Sequence, residues 1–174
     1  MNIVLTGFMG TGKTVTGKIV SERLGMEFID TDKIIEERER DRIVRIFQTK
    51  GEKYFRKIEE EVIEEVSKKD NCVIATGGGA IISERNFKNL KKNGILICLS
   101  AKPSVIFKRT FSSKDRPLLL KSKPAIQIIK ELLEKRKPYY SKADYTIDTS
   151  SLKPEQVAEK IIEIYKNEKN KNKT

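Results

Sequence analysis

The 174-residue sequence contains no histidine, no tryptophan and only two cysteines. Without histidine there can be no Ser-His or Cys-His nucleophile pair, and no imidazole metal ligand. Cys72 and Cys98 each lie inside an apolar run, CVIAT and ILICLS, with no CxxC spacing, so they read as buried, reduced core thiols rather than a zinc site or a disulfide framework. No apolar run approaches the roughly 18 residues of a membrane span. The first residues show no basic stretch followed by a signal-peptide core, so the cytoplasm is the expected compartment. Aromatic residues make up only 7% of the chain, too sparse and scattered to form a stacking platform for nucleic acid.

What the chain has in excess is positive charge, formally +11. That excess is not spread evenly. Residues 1–101 carry 18 basic and 16 acidic groups, residues 102–123 carry 7 and 1, residues 124–165 carry 7 and 7, and residues 166–174 carry 4 and 1. Nine of the eleven surplus charges therefore fall in one internal segment and the tail. The tail NEKNKNKT reads as a solvated, frayed end over about 168–174. The segment 102–123 holds Arg109 and Arg116 beside a loop with no clean period, which suits an anionic ligand, although a solvated basic loop has the same composition.

Short apolar runs alternate with longer amphipathic ones. NIVLT (2–6), MEFID (26–30), NCVIAT (71–76), GILICLS (94–100) and YTIDT (145–149) predict five strands. Helices are predicted over 13–25, 31–47 with a break near Asp41, 52–69, 83–92, 103–111, 125–141 and 154–167. Strand–helix alternation of this kind predicts an α/β fold: one domain, a five-stranded parallel sheet and helices on both faces.

The first strand runs into GFMGTGKT (7–14), which matches G-x-x-x-x-G-K-[ST]. Gly7, Gly10 and Gly12 can turn backbone N–H groups toward one point, and the helix that begins there adds its positive end. Lys13 can reach the β- and γ-phosphates of a nucleotide, and the Thr14 hydroxyl can bind Mg²⁺. At average composition such a match arises by chance in roughly one chain of this length in two hundred. The strand before it and the helix after it make chance rarer, so a bound nucleoside triphosphate is the expectation. The motif does not choose between switch, motor and kinase.

Four further features bear on that choice. DTD (30–32) closes the second strand, where Asp30 can hold a metal through water and Asp32 can take a hydroxyl proton; a helix cap accounts for it as well. Arg56 follows core-facing Phe55 on an amphipathic helix, where a solvated arginine is also ordinary. GGG (77–79) follows a buried strand and permits close backbone approach, or is a plain loop. RPLL (116–119) and EKRKPYY (134–140) bring Arg116 and Arg136, each explicable as surface.

Taken together, in this order and spacing, GFMGTGKT, DTD, IF-x₃-GE-x₂-FR, GGG, RPLL and the R-x-P-x-Y of RKPYY resemble the shikimate kinase family, from about residue 3 to residue 150. The resemblance implies a three-layer P-loop kinase fold of the nucleoside-monophosphate-kinase type, with a mobile lid at about 112–124. It implies ATP-dependent phosphorylation of the 3-hydroxyl of shikimate, with Mg²⁺ and ATP bound by a monomer that uses neither nucleic acid nor membrane. Carried onto this chain, Gly10, Thr11, Gly12, Lys13, Thr14 and Val15 would wrap the ATP phosphates, with Thr14 and Asp30 at the metal. Asp32 would bind ring hydroxyls and serve as candidate base, Arg56 and Arg136 would hold the substrate carboxylate, and Gly77, Gly78 and Gly79 would meet the substrate with their backbone. Arg109 would lie against adenine, and Arg116 would close over the phosphates from the lid.

The chain departs from the family pattern twice. ERERDRIVRI (37–46) is more charged than the usual helix–turn there, which often carries a glycine, and SSLKP (150–154) lacks the arginine that many members place near adenine. A gluconate-type kinase of the same fold would share the P-loop without the combined Arg56, GGG and Arg136 set, and a nucleic-acid-binding ATPase would fit the pI near 9.6 but not the clustering of charge.

Overall fold

In the computed structural model, residues 1–110 and 124–171 are described. Arg116 and the expected lid, apart from Pro124, fall outside them, as do the last three residues of the tail. The chain runs β1 (Asn2–Thr6), α1 (Lys13–Leu24), β2 (Glu27–Asp30), α2 (Thr31–Glu39), α3 (Ile43–Val66), β3 (Cys72–Ala75), a 3₁₀ turn (Ala80–Ile82), α4 (Glu84–Lys92), β4 (Gly94–Ser100), α5 (Pro103–Thr110), α6 (Ala125–Tyr140), β5 (Tyr145–Asp148) and α7 (Pro154–Lys171). The five strands form one parallel sheet in the order β2-β3-β1-β4-β5.

That order builds the cleft. β3 inserts between β1 and β2, pairing Ile3 with Val73 on one side and Phe28 with Val73 on the other. The carboxyl ends of β1, β3 and β2 therefore lie side by side, and with them the P-loop, the triple glycine and the Asp30–Asp32 turn. In an open α/β sheet this edge, where the strand order reverses, is where ligands bind.

β1 and β4 are buried through most or all of their length, as expected of parallel strands covered on both faces. On one face Ile35, Phe55, Val62, Ile63 and Leu90 pack against Val4, Ile74 and Leu96; on the other Val20, Ala158 and Ile161 pack against Ile3, Leu5 and Ile97. Each buried Ile, Leu, Val or Phe side chain contributes about 1.5–3 kcal/mol through burial, whereas an exposed ion pair such as Lys69–Glu27 is screened by solvent and adds little. The core, not the many surface charges, holds the fold. Both cysteines are free and buried within it, and burial pushes the Cys98 thiol up to about 11.

The break expected near Asp41 is present, and two boundaries differ from the sequence expectation. The helix predicted over 31–47 breaks at 40–42: Arg40 adopts a left-handed conformation (φ 52°) that ends α2, and the Glu36 carboxylate then accepts the Ile43 N–H at 3.0 Å and so caps the start of α3. α3 itself continues past the expected boundary, kinked at Gly51 (φ 83°), and the kink allows Phe47 and Phe55 to meet with ring centroids 4.7 Å apart. The GGG stretch leads into a 3₁₀ turn. α7 runs four residues beyond 167, where Glu168 accepts hydrogen bonds from Tyr145 Oη (2.8 Å) and Lys171 Nζ (2.6 Å) and so fastens the last turn to β5.

Candidate active site

The loop after β1 is shaped by glycines at positive φ: Gly7 at 129°, Gly10 at 75° and Gly12 at 96°. A β-carbon on Gly7 would run into the Leu99 carbonyl oxygen of β4, so this glycine is required by contact as well as by conformation. Within the loop, Lys13 Nζ donates to the carbonyls of Gly7 (2.8 Å) and Phe8 (2.9 Å), and the buried Thr11 hydroxyl donates to Phe8 O (2.8 Å). The ammonium is thus held over the loop from its first helical position. Val15, two residues on, is exposed.

Asp30 serves two purposes. Its Oδ1 accepts the N–H groups of Asp32 (3.1 Å) and Lys33 (3.4 Å), capping α2, while its Oδ2 accepts the Thr14 hydroxyl at 2.9 Å. The helix-cap reading and the metal-site reading of DTD are therefore compatible, because each uses a different oxygen. A threonine hydroxyl and a single carboxylate make a hard, oxygen-only donor pair, which fits Mg²⁺ held largely by a nucleotide's phosphates and water.

The triple glycine is a meeting point. Gly77 N–H donates to Thr31 Oγ1 at 3.2 Å. A β-carbon on Gly77 would lie 2.7 Å from Asp32 Oδ1 and 2.9 Å from Glu59 Oε1, so the missing side chain is what lets these two carboxylates converge. A β-carbon on Gly79 would collide with the Arg56 guanidinium at 2.6 Å from Nη2, and one on Gly78 would reach Arg136 Nη1 at 3.4 Å. Tyr140 Oη donates to Gly78 O at 2.6 Å.

Arg56 and Arg136 come from α3 and α6. Arg56 Nη1 donates to Glu59 Oε2 at 2.7 Å, Nη2 donates to Glu52 Oε1 at 3.2 Å, and the guanidinium stands 5.2 Å from the Phe55 ring. Arg136 is only 4% exposed and lies over the Phe8 ring at 5.3 Å. Glu59 is 1% exposed; burial pushes its carboxyl above the ordinary range, against the opposing pull of Arg56 and Arg136, and its Oε1 has no hydrogen-bond partner among the described residues. Two cations thus share one fully buried anion, a balance that favours an incoming carboxylate.

One cavity of about 570 Å³ takes in nearly every residue singled out from the sequence: Gly10, Gly12, Lys13, Thr14, Val15, Asp30, Asp32, Arg56, Gly77, Gly78, Gly79, Arg109 and Arg136. Thr11 supports the loop from behind. Arg109 reaches back from α5, with Nη1 donating to Gly10 O (3.2 Å) and Thr149 Oγ1 (3.1 Å) and Nη2 donating to Thr149 O (2.9 Å), so it ties the P-loop to the turn after β5. Sequence reasoning did not single out Glu59, Phe8 or Thr149, and met Tyr140 only as the last residue of the R-x-P-x-Y pattern. Glu59 carried a signal, since three residues after Arg56 places it on the same helical face. The roles of Phe8 and Thr149 depend on contacts between distant segments and had no local mark.

The family model for shikimate kinase matches residues 9–166. A shikimate kinase of Thermodesulfovibrio yellowstonii is 52% identical over 164 residues, covering 94% of each chain. The solved structure of shikimate kinase from Acinetobacter baumannii in complex with shikimate superposes with a TM-score of 0.92 at 38% identity, covering 97% of this chain and 94% of that one. A gluconokinase from Sinorhizobium meliloti superposes with a TM-score of 0.59 at 16% identity over 92% of this chain and 88% of that one, a likeness of fold alone.

Proposed function

The chain belongs to the shikimate kinase family, and we propose that it transfers the γ-phosphoryl group of ATP to the 3-hydroxyl of shikimate. The observation that carries this reading is a single cavity lined by a P-loop lysine, an aspartate and two arginines that share one buried anion. Shikimate is a small carboxylated triol, and the planar fork of an arginine suits a carboxylate.

In this reading Arg56 and Arg136 hold the substrate carboxylate, and the Gly77–Gly79 backbone lies against the ring. Asp32 orients the ring hydroxyls and accepts the proton of the 3-hydroxyl as its oxygen bonds to the γ-phosphorus. The bond from that phosphorus to the bridging oxygen breaks, and ADP leaves. Gly10, Thr11, Gly12, Lys13, Thr14 and Val15 form the cradle for the phosphates, with Lys13 placing its charge where negative charge builds up. Thr14 and Asp30 would hold Mg²⁺, which when bound neutralises phosphate charge. Arg109 lies against adenine, and Arg116 closes over the phosphates from a lid at about 112–124, excluding water as a competing acceptor. The enzyme works as a cytoplasmic monomer; among the described residues no helix is long and apolar enough to cross a membrane.

The test is ADP release by the purified protein with ATP and Mg²⁺, with and without shikimate, with gluconate and AMP as controls. Turnover only with shikimate is expected; turnover with gluconate or AMP instead would overturn the substrate assignment. Asp32→Asn then tests the base: turnover should fall by about 10²–10⁴-fold. Full turnover with only weaker shikimate binding would make Asp32 a positioner.

A further inference from the structure

The R-x-P-x-Y stretch ends in a tyrosine to which the reading above gives no role. Tyr140 is the last residue of α6, one helical turn beyond Arg136 and so on the same face. Its hydroxyl donates to the Gly78 carbonyl at 2.6 Å, across 62 residues of sequence. The Arg136 guanidinium acts on this phenol electrostatically, opposing the effect of burial. Arg136 in turn is confined by the Phe8 ring at 5.3 Å on one side and by Gly78, whose β-carbon position lies 3.4 Å from Nη1. One phenol therefore joins the two groups that this reading assigns to the substrate, the middle glycine's peptide and a buried arginine.

We propose that Tyr140 is a positioning residue for the substrate carboxylate site: it pins the Gly78 carbonyl so that this peptide keeps its orientation, and it fixes the Arg136 guanidinium against Phe8. The phenol does this as a neutral donor. Burial pushes its proton loss up to about 12, so the O–H is retained at any working pH and the residue takes no part in proton transfer. Without the hydroxyl the Gly78 carbonyl loses a short hydrogen bond in a partly buried place, and both the peptide and the guanidinium gain freedom that shikimate must then remove on binding. The consequence falls on recognition of shikimate and not on the P-loop.

The proposal rests on shikimate being the acceptor, and the experiment separates the two. If wild-type protein shows no shikimate-dependent ADP release, the substrate reading fails. If it does show release, Tyr140→Phe should raise the KM for shikimate about five- to fifty-fold, with the KM for MgATP within twofold and kcat within threefold. Tyr165→Phe is the control: that ring packs from α7 with Ile3, Val157 and Ile161 on the other face of the sheet, and its loss of a hydroxyl should leave both KM values unchanged. The penalty in Tyr140→Phe should shrink when shikimate is replaced by its neutral carboxamide. An unchanged shikimate KM, a parallel rise in both KM values, or an equal penalty on the carboxamide would each overturn the proposal. Should Tyr140→Phe fail to fold, 3-fluorotyrosine-labelled wild-type protein replaces it, assigned by phenylalanine at the other four tyrosines. The Tyr140 resonance should then move with shikimate and not with MgADP; a resonance indifferent to shikimate would overturn the proposal.

Discussion

The P-loop and the arginine pocket open on the same cavity but are built in opposite ways. The P-loop is eight consecutive residues whose polar groups are mostly backbone, and the bonds within it span at most six positions, as from Lys13 to Gly7. The arginine pocket is assembled from α3, the triple glycine and α6, and its working groups are side chains: Arg56 on Glu59, Arg136 over Phe8, and Tyr140 on Gly78 across 62 residues. An atom added at Gly7 of the first site meets backbone that cannot yield, whereas an atom added to the glycines of the second meets charged side chains, and that site is also spoiled by removing a charge or hydroxyl that compensates another. Contiguous backbone sites are governed by sterics, and assembled side-chain sites by electrostatic balance.

Adding one methyl group should break the first region most severely. Gly7→Ala combines a φ of 129° with a collision against the backbone carbonyl of Leu99, which sits in a central strand and cannot yield. A loss of about 3–5 kcal/mol is expected, at the upper end of single substitutions. Urea unfolding measures it, and whatever folded protein remains should show a raised KM for ATP. A loss under about 1 kcal/mol would mean that the loop relaxes and that sterics do not govern it.

The arginine pocket should respond to charge instead. Glu59→Gln keeps the shape and removes the anion shared by Arg56 and Arg136. Because burial raises the folded-state pKa of Glu59 above its unfolded value, its contribution to stability is fully present below the ordinary carboxyl pKa near 4.5 and is lost as pH rises through the folded value. Relative to Glu59→Gln, the wild-type protein should therefore lose stability as pH is raised from about 4.5 through the folded value of Glu59. Meanwhile the variant's KM for shikimate should rise several-fold at unchanged KM for ATP, because Arg56 loses its 2.7 Å partner. A stability difference that does not change with pH would show that Glu59 titrates as an exposed carboxylate does.

The same contrast explains what could be read in advance. The five strands, their parallel pairing and the P-loop follow from periodicity and from a spacing of glycines and lysine that local backbone geometry dictates. Asp32, Arg56, Gly77–Gly79 and Arg136 were recognisable only as a set, because each one alone also suits a cap, a solvated face or a loop. Glu59 was within reach, three residues from Arg56 on an amphipathic helix. Phe8 under Arg136 was not, since residues 8 and 136 meet only through strand order and helix packing. The break at 40–42 was visible as a run of charge, but its conformation was not, because arginine is an uncommon residue for the left-handed turn that ends α2.

That turn supplies the smallest test. Arg40 holds φ 52°, ψ 34° as the C-terminal cap of α2, its N–H donating to Glu36 O, and Glu36 in turn caps α3, the helix that carries Arg56 and Glu59. A left-handed conformation costs a residue with a β-carbon about 1–2 kcal/mol, and glycine avoids this while giving back roughly 0.5–1 kcal/mol through its freer unfolded chain. Arg40→Gly should therefore stabilise the protein by about 0.5–1 kcal/mol, or a few degrees in Tm. If the arginine pocket depends only on its own charge balance, the KM values for shikimate and ATP stay as they were. If shikimate KM rises while stability improves, the strained turn helps to set the pitch of α3, and the pocket's dependence on side chains extends to the backbone that delivers them.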